Sequence, residues 1–458
     1  MEKTTYLVFV LLLSMIFFYW GKLQASRMVR EGHSLHSLPG YYGYFTALCA
    51  GTPALLLLLL WLGFETMVVT RAALASLPES MLAVGQDQLG LIVTDIQNVA
   101  NHVPVSEPSP EIRAAGEHYA ALKIRGDWLL TLLGGGFAIA GALFARSRIN
   151  PGFRARNRVE TAVNLLLMGC ATLAIFTTIG IVLSVLVESI RFFSKVSVTE
   201  FLFGLKWSPQ IAMRADQVGS SGAFGSVPLM AGTVLISAIA MAVAVPIGLM
   251  SAIYLSEYAT PRFRAIAKPL LEILAGIPTV VYGFFAALVV APFIREMGAR
   301  VGLDVSSESA LAAGLVMGIM IIPFVSSLSD DFINAVPQSL RDGAYALGAT
   351  QSETIRQVVM PAALPGVVGG ILLAVSRAIG ETMIVVMAAG LSANLTANPL
   401  QAVTTVTTQI VTLLVGDQEF DSPKTLAAFA LGLLLFLCTL ALNIIALRIV
   451  RKYREQYE

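Results

Sequence analysis

Long apolar stretches alternate with short polar connections along the whole chain. Nine of these stretches approach or exceed the about 20 residues that a helix needs to cross the hydrocarbon core of a membrane. They lie at residues 5–20, 43–63, 127–145, 161–187, 229–256, 269–294, 309–328, 366–390 and 425–447. The pattern therefore predicts an all-α polytopic membrane protein.

Lysine and arginine collect in every second connection between these stretches. The basic connections contain residues 22–30, 146–158, 262–268, 339–366 and 448–454. Because basic residues favour the cytoplasmic side of a membrane, the alternation predicts an N-terminus outside the cell and a C-terminus in the cytoplasm.

The connections also predict four regions. Residues 1–63 hold two spans, and residues 64–126 form an acidic extracytoplasmic loop domain. Residues 127–158 hold the third span and a basic cytoplasmic linker, and residues 159–458 form a six-span core with a polar loop at 329–365. The apolar spacing in the acidic region predicts an amphipathic helix containing Leu82, Val84, Leu89, Ile92 and Ile96. A passive cap over the membrane helices is the plainer function for this region.

Composition agrees with a membrane protein and excludes several other classes. The 458 residues are 13% charged, and the mean hydropathy of +0.76 is too high for a soluble protein of several domains. A net charge of +1, with no basic run interleaved with aromatic residues, argues against binding to nucleic acid. The three cysteines lie far apart in apolar stretches, so they predict neither a disulfide framework nor a metal site.

One polar stretch, Ser339–Gly366, separates two of the apolar stretches. Its charged side chains cannot lie in hydrocarbon, so they predict an organised aqueous loop. Gly348 interrupts a run of helix formers, and Thr350 and Ser352 are candidate N-caps of a second short helix. Pro361 and Pro365 are expected to end that helix before the eighth span. The prediction is a helix, a break and a second helix on the cytoplasmic side.

A pair of opposite charges lies inside the eighth predicted span. Arg377 lies about 11 residues after Gly366, which is about 17 Å into a core of about 30 Å. Arg377 and Glu381 are four residues apart, which places them on one helix face, where a charged pair is not expected to contact lipid. Either Arg377 is a counter-charge for a passing oxyanion and Glu381 holds it when the path is empty, or the two form a structural ion pair.

The polar loop resembles a known family of transport loops. Asp342-Gly343-Ala344, followed by Gly348-Ala349 and Met360-Pro361, is similar to the cytoplasmic coupling loop of permease subunits of ATP-binding-cassette (ABC) importers. The usual opening there is Glu-Ala-Ala, so this chain departs from it at the first two positions. The resemblance implies that an ATPase contacts Asp342, Gly343, Ala344, Gly348 and Ala349.

Three strings in the six-span region resemble the permeases of bacterial phosphate importers. They are Ala244–Gly248, Ala252–Ala259 and Leu271–Gly283, and Ala291–Arg295 resembles the C-type subunit in particular. The resemblance covers about residues 200–458. It implies a six-helix type I ABC-importer permease core, preceded here by three extra transmembrane helices and a small extracytoplasmic loop domain.

The same resemblance assigns roles at membrane depth. In this family the Arg and Glu of an Arg-Ala-x-Gly-Glu-Thr string are associated with transport competence. The matching residues here imply a substrate path that contains Ser376, Arg377, Glu381 and Thr382.

A glycine–serine run in an outside connection is a second, weaker candidate site. Its residues Ser220, Ser221 and Gly222 could donate hydrogen bonds to an oxyanion at an outer gate. A flexible linker is the plainer interpretation of that run.

The chain carries no motif for nucleotide or enzyme chemistry. Its one Gly-Lys pair, Gly21-Lys22, is followed by Leu23, so it contains no Walker A loop. The resemblance implies a transport subunit that is not an enzyme, binds no cofactor and no metal, and depends on a partner ATPase that uses ATP.

The function implied by the resemblance is ATP-driven import of inorganic phosphate across the bacterial cytoplasmic membrane. The implied partners are a homologous permease subunit, two ATP-binding-cassette ATPase subunits and an extracytoplasmic phosphate-binding protein. Membrane lipid is expected at the arginines of residues 146–160, and a phosphate-signalling regulator is a further candidate partner. Two alternatives stay open: import of phosphonate, sulfate or molybdate, and a membrane sensor or scaffold that reports phosphate status.

Overall fold

A computed structural model describes residues 3–78, 81, 86–101, 103, 109–210, 222–415 and 421–454. The chain divides into two compact units, Met1–Phe176 and Thr177–Glu458, which are described separately below. Within the described ranges, nine helices are long and apolar enough to cross a membrane, which agrees with the predicted number of spans.

Among the described residues of the first unit, five helices begin, and the fifth continues into the second unit. They are α1 (Lys3–Arg30), α2 (Pro39–Leu74), α3 (Gln86–Ala100), α4 (Pro110–Arg148) and α5 (Ala155–Phe193). Helices α1, α2 and α4 pack together around buried small residues and Tyr6, whose hydroxyl donates to the carbonyl of Ala54 at 2.9 Å. A Cβ at Gly141 would overlap the carbonyl oxygen of Cys49, so α2 and α4 approach each other at backbone distance there.

Helices α2 and α4 extend well beyond the length that a membrane requires. Their extended ends and α3 enclose a small apolar cluster that includes Val69, Ile96 and Tyr119. The amphipathic helix predicted in the acidic region is therefore present as α3, and its residues Ile92 and Ile96 face this cluster. The predicted helix positions Leu82 and Val84 lie outside the described residues.

Twelve further helices lie in the described part of the second unit. They are α6 (Val198–Phe203), α7 (Val227–Ile253), α8 (Pro261–Gly276), α9 (Thr279–Phe285), α10 (Ala291–Val301), α11 (Ala310–Asn334), α12 (Gln338–Ala346), α13 (Gln351–Thr354), α14 (Met360–Ile379), α15 (Met383–Ala388), α16 (Val406–Leu414) and α17 (Pro423–Arg454).

Short irregular elements complete the second unit. Three π-helical turns, Tyr254–Tyr258, Ala286–Val290 and Ile355–Val359, extend α7, join α9 to α10 and join α13 to α14. Strands β1 (Trp207–Ser208) and β2 (Ala223–Phe224) pair antiparallel, with Trp207 opposite Phe224.

Helix α11 forms the centre of this unit. Its side chains from Ala310 to Val325 lie in a buried cluster together with residues of α7, α14 and α15, including Ile236, Ala374 and Ile384. The beginning of α11 lies against the irregular segment 389–405, whose Gln401 carbonyl accepts from the N–H of Ala310 at 3.1 Å. Further bonds of this kind run from Ser306 to the Leu400 carbonyl and from Leu311 to the Pro399 carbonyl, so part of the segment's backbone has partners inside the protein.

The sixth predicted span was misplaced. Residues 269–276 belong to α8, which is amphipathic and has no buried residue, and the membrane helix instead occupies Thr279–Val301. The break lies at Ile277, which has an extended backbone because the residue before a proline is disfavoured in the helical conformation.

The start and end predicted for the eighth span were also wrong. One continuous helix runs over Gln351–Ile379, so Pro361 and Pro365 do not end the second helix of the polar loop. Pro361 lies in the first turn of α14, directly after the π-helical turn. Such local π adjustments accommodate the hydrogen bonds that prolines remove in membrane helices. The second part of the polar loop and Arg377 therefore belong to one continuous helix.

The contact between α7 and the irregular segment 389–405 predicts a mutational effect. A Cβ at Gly232 would overlap the carbonyl oxygen of Thr404, a backbone atom that has no rotamer to change. We expect Gly232→Ala to destabilise the protein by about 1–3 kcal/mol through overpacking. The measurement is the midpoint of thermal unfolding of the detergent-solubilised protein.

Gly432→Ala in α17 is the matched control. No atom lies within 4 Å of the added Cβ, so this change should be neutral or slightly stabilising. Equal midpoints for Gly232→Ala and the unchanged protein would contradict the close packing of α7 on this segment.

Candidate functional site

Arg377 lies in the last turn of α14, at the end of the helix opposite the polar loop. Its guanidinium carbon lies 5.7 Å from the ring centroid of Phe324 in α11, a cation–π arrangement. Among the described side chains no carboxylate forms an ion pair with it. The guanidinium is exposed in the single chain and is free to meet a ligand or a neighbouring subunit.

Glu381 has a different role from the one predicted. Helix α14 ends at Ile379, so Glu381 lies beyond it and does not share a helix face with Arg377. Its Oε1 accepts hydrogen bonds from the backbone N–H groups of Met383 at 3.0 Å and Ile384 at 3.3 Å. The carboxylate therefore caps the short helix α15 and complements its N-terminal dipole. The expected Arg377–Glu381 pair is wrong because the helix on which it depended ends between them.

The other two predicted path residues stay beside Arg377. Ser376 is half-buried in the last turn of α14, and its carbonyl accepts from the N–H of Gly380 at 3.2 Å. The hydroxyl of Thr382, two residues after that glycine, points back to the Gly380 carbonyl at 3.4 Å. The segment 376–382 thus forms a compact polar turn at the end of a long apolar helix.

A buried cluster of threonines adjoins this turn. Its four members lie around the beginning of α16 and are almost fully buried: Thr404, Thr405, Thr407 and Thr408. The hydroxyl of Thr407 donates to the carbonyl of Glu381 at 2.8 Å, which joins the cluster to the turn. The Thr405 hydroxyl lies 3.0 Å from those of Thr407 and Thr408.

A buried glutamine connects this cluster to the sheet. Gln409 accepts from the Trp207 indole N–H at 3.0 Å, and it donates to the carbonyl of Leu391 at 3.0 Å. Sequence reasoning missed both the threonines and Gln409. The available signal was the polar string Thr404-Thr405-Val406-Thr407-Thr408-Gln409, which lies between apolar spans where polar side chains need partners.

The polar loop has the predicted order of helix, break and helix. Helix α12 ends before Gly348, whose φ of +88° is the left-handed conformation that glycine adopts readily. Thr350 then caps α13 through a capping box with Glu353, in which each side chain bonds the backbone N–H of the other. Both predictions about the break and the cap are confirmed.

The predicted coupling residues differ in their exposure. Asp342, Gly343 and Gly348 are exposed, whereas Ala349 is half-buried and Ala344 is buried against this chain. At the tip, Leu347 is 91% exposed, an unusual placement for a large apolar side chain that motif reasoning passed over. The loop therefore presents the acid Asp342 and the apolar Leu347 to its surroundings, among other exposed side chains.

A buried arginine attaches this loop to the rest of the second unit. Arg341 donates to the carbonyl oxygens of Val336 at 2.6 Å and Ile333 at 2.8 Å, and to the Glu257 carboxylate at 2.9 Å. Both side chains of the ion pair are about 10% exposed. Gln351 of α13 also donates to the carbonyl of Glu257, at 2.7 Å. The two short helices are therefore fixed to the π-helical end of α7 and to the end of α11.

A second buried charge, Asp330, lies in α11, about one turn before Ile333. Asp330 is 3% exposed and accepts from Arg264 with both carboxylate oxygens at 2.9 Å, and from Lys268 at 2.7 Å. Lys268 and Glu272 are four residues apart, a spacing that favours a local ion pair on a helix. Lys268 instead bonds Asp330 across helices, which fastens the amphipathic α8 to α11.

The structure describes only Gly222 of the weaker gate candidate, residues 220–222. Ser220 and Ser221 lie outside the described residues. Gly222 has a φ of +59° and immediately precedes β2.

Comparisons with known proteins agree with this architecture. A family model described as "Phosphate ATP-binding cassette transporter" matches residues 7–177. A second, described as "Binding-protein-dependent transport system inner membrane component", matches residues 244–455. The "Probable ABC transporter permease protein YqgH" of Bacillus subtilis is 32% identical over 278 residues, which cover 60% of this chain and 86% of that protein.

Two further relatives carry a phosphate-transport name. "Phosphate transport system permease protein PstC 1" of Mycobacterium tuberculosis is 31% identical over 248 residues, covering 50% of this chain and 73% of that protein. "Phosphate transport system permease protein PstC" of Haemophilus influenzae is 35% identical over 153 residues, 30% of this chain and 49% of that protein. The chain thus spans about half the length of the latter relative.

Membrane-spanning helices around a buried α11, with a helix–break–helix loop fixed to their end, define a polytopic transport permease. The chain belongs to the family of ABC transporter permeases that includes the PstC phosphate transport permeases. It is a multi-pass inner-membrane protein and a transport subunit rather than a catalytic enzyme. Membership implies partners of the ABC transporter kind, such as an ATPase and a binding protein.

The contrast between Arg341 and its neighbour Asp342 is testable. Arg341→Ala leaves the Glu257 carboxylate buried without its partner, which costs about 3–5 kcal/mol in comparable buried pairs. We expect a clear loss of thermal stability, and partial recovery when Glu257→Gln is added. Asp342→Ala should leave the unfolding midpoint unchanged, because this exposed carboxylate bonds only Gln338, at 3.1 Å, among the described side chains.

Purified single and double variants, compared by thermal unfolding, provide the measurement. Two results would contradict the anchoring role of Arg341: a midpoint equal to that of the unchanged protein, or strictly additive losses in the double variant.

Proposed function

We propose that this chain is a membrane-spanning subunit of an ATP-driven importer of inorganic phosphate. The observation that carries the proposal is an exposed arginine, Arg377, in a polar turn at the end of one helix whose other end lies in the polar loop. Support for phosphate comes from relatives that carry that name and from the family description matched by residues 7–177.

The proposed complex contains a homologous permease subunit, two ATP-binding-cassette ATPases and an extracytoplasmic phosphate-binding protein. ATP is bound and hydrolysed by the ATPases, and this chain itself binds no cofactor. Asp342, Gly343, Gly348 and Ala349 contact the ATPase, together with Leu347 at the exposed tip. Ala344 supports this surface from behind, because it is buried against its own chain.

The proposed orientation places the N-terminus outside and the C-terminus in the cytoplasm. The alternation of basic connections supports this orientation. Arg264 and Lys268, which bond Asp330, lie in one of those basic connections, near the end of α11 from which the polar loop continues. The polar loop then faces the cytoplasm, where an ATPase can reach it.

In this mechanism the helix Gln351–Ile379 connects the polar loop to the turn at Arg377. The span Gln351–Ile379 has 29 residues, or about 43 Å at 1.5 Å per residue. Closure of the ATPase pair displaces α12 and α13, and because Arg341 fixes them to α7 and α11, those helices move with them. The polar turn 376–382 then changes its access from one side of the membrane to the other.

Release of the anion requires that Arg377 bind it only moderately. A guanidinium matches two oxygens of a phosphate, which supplies geometric selectivity. When the path is empty, Arg377 stacks on Phe324, a contact worth about 0.5–1 kcal/mol at exposed sites. Glu381 acts by capping α15, and so fixes the turn rather than neutralising the arginine.

Removal of the Arg377 guanidinium tests this role. A hydrogen bond to a charged group contributes about 1.5–3 kcal/mol, so Arg377→Ala should lower phosphate uptake at least about tenfold. The assay is uptake of radiolabelled phosphate by cells that express the complex, with subunit co-purification to show that assembly survives.

Arg300→Ala is the matched control, because Arg300 is exposed in α10 and pairs only with Glu296 among the described acids. Its uptake should equal that of the unchanged protein. Normal uptake by an assembled Arg377→Ala complex would remove Arg377 from the path.

Anion choice has its own test. Unlabelled phosphate in excess should suppress uptake of labelled phosphate, whereas sulfate, molybdate and a phosphonate should not. Equal suppression by one of these anions would show that the complex also accepts that anion. The test of Arg377 would still apply, because it does not depend on which oxyanion is transported.

A further inference from the structure

Two adjoining cavities lie in the first unit, at the junction of α4 and α5. The first is an apolar groove of about 510 Å³ between α2, α4 and α5. Its walls include Phe45 and Cys49 of α2, Phe137 and Phe144 of α4, and Ala162 of α5, and Arg158 lies at its edge. Polar side chains are scarce in this groove, so it suits a hydrocarbon occupant.

The second cavity has the opposite character. It has a volume of about 550 Å³ and is lined by residues of the α4–α5 connection and the first turns of α5, including Asn150, Arg154, Asn157 and Thr161. Arg158 lines this pocket as well as the apolar groove. One guanidinium therefore lies at the junction of a polar pocket and an apolar groove.

Helical spacing explains how the two cavities are joined. Arg154, Asn157, Arg158 and Thr161 follow a spacing of three, four and seven residues, which places them on one face at the beginning of α5. Ala162, one turn after Arg158, continues this face into the apolar groove. The face changes from cationic to apolar within about one turn, as expected at the boundary between lipid headgroups and acyl chains.

The charge of this face is not neutralised within the described part of the chain. Neither Arg154 nor Arg158 forms an ion pair with a described acid, whereas Arg156 between them bonds Glu160 at 2.6 Å. The N-terminal dipole of the 39-residue helix α5 adds further positive potential at the same place. An occupant without an anionic group would leave both guanidinium groups without a counter-charge.

We propose that this composite site binds one anionic phospholipid. The phosphate of the headgroup lies in the polar pocket between Arg154 and Arg158, with Asn157 as a further donor. One acyl chain lies in the groove between α2, α4 and α5. A free phosphate ion would fill only the polar pocket, and a lipid without a phosphate would fill only the groove. Phosphatidylcholine could enter both cavities, but its choline would bring a positive charge close to the two arginines. An anionic phospholipid matches both cavities at once.

Native mass spectrometry of the full-length chain, purified with its associated subunits, tests the proposal. The protein is equilibrated with phosphatidylglycerol and phosphatidylcholine of identical acyl chains. We expect one retained phosphatidylglycerol. Arg158→Gln should weaken its retention about fivefold, since an arginine near a membrane surface adds about that factor toward anionic lipid.

Arg156→Gln is the matched control, because this arginine lies on the same helix but lines neither of the two cavities. It should retain phosphatidylglycerol as the unchanged protein does. Ala162→Trp, which fills the groove and keeps every arginine, should also lose the lipid. Size-exclusion chromatography of each variant verifies that it remains folded.

Three results would overturn the proposal. The first is equal retention of the two lipids, and the second is full retention by Arg158→Gln or by Ala162→Trp. The third is displacement of phosphatidylglycerol by soluble glycerol 3-phosphate at matching concentration, which would assign the pocket to a free phosphate ester. All three are independent of phosphate transport, so they do not depend on the outcome at Arg377.

Discussion

The buried guanidinium of Arg341 is the contact through which the polar loop is attached to the second unit. Carbonyl groups at the end of a helix lack partners in the helix, and Arg341 satisfies those of Ile333 and Val336 at the end of α11. It also pairs with Glu257 in the π-helical turn after α7. Three elements therefore meet at one side chain, and the loop cannot move without moving the two helices at the centre of the core. A separate group of contacts holds α8 to α11, in which Asp330 pairs with Arg264 and Lys268.

Much of this architecture follows from local rules in the sequence. Apolar length predicted nine spans, and glycine and threonine chemistry predicted the break at Gly348 and the cap at Thr350. These features depend on a few neighbouring residues, so a single sequence contains enough information. The predicted limits of the sixth and eighth spans were wrong, and both errors concern prolines. Pro278 breaks a helix, whereas Pro361 and Pro365 lie within one. In the latter case the π-helical turn and the lack of any competing polar partner in hydrocarbon favour an uninterrupted helix.

Long-range polar contacts were beyond sequence reasoning for a different reason. The partner of Lys268 is 62 residues away in Asp330, whereas the spacing rule offered only Glu272. Likewise, the predicted pair of Arg377 and Glu381 depended on a helical spacing, but the helix ends before Gly380. The threonine cluster around Thr405 has no motif at all, and its meaning appears only when the irregular segment 389–405 is placed against α7, α11 and α15. Polar residues in such a segment must find partners inside the protein, but which partners they find is decided by the tertiary fold.

The continuous helix from Gln351 to Ile379 joins the polar loop to Arg377. These two features, separate in the sequence, can therefore act in one mechanism. We therefore propose that the turn at Arg377 opens to the outside when the ATPases close on ATP and to the cytoplasm when they separate. The most direct measurement is alkylation of an Arg377→Cys variant of the intact complex by a membrane-impermeant thiol reagent added from outside. The native cysteines Cys49, Cys170 and Cys438 are replaced by serine for this purpose. The account predicts rapid labelling when the ATPases are trapped closed with an ATP analogue and little labelling without nucleotide. Equal labelling in both states would contradict it.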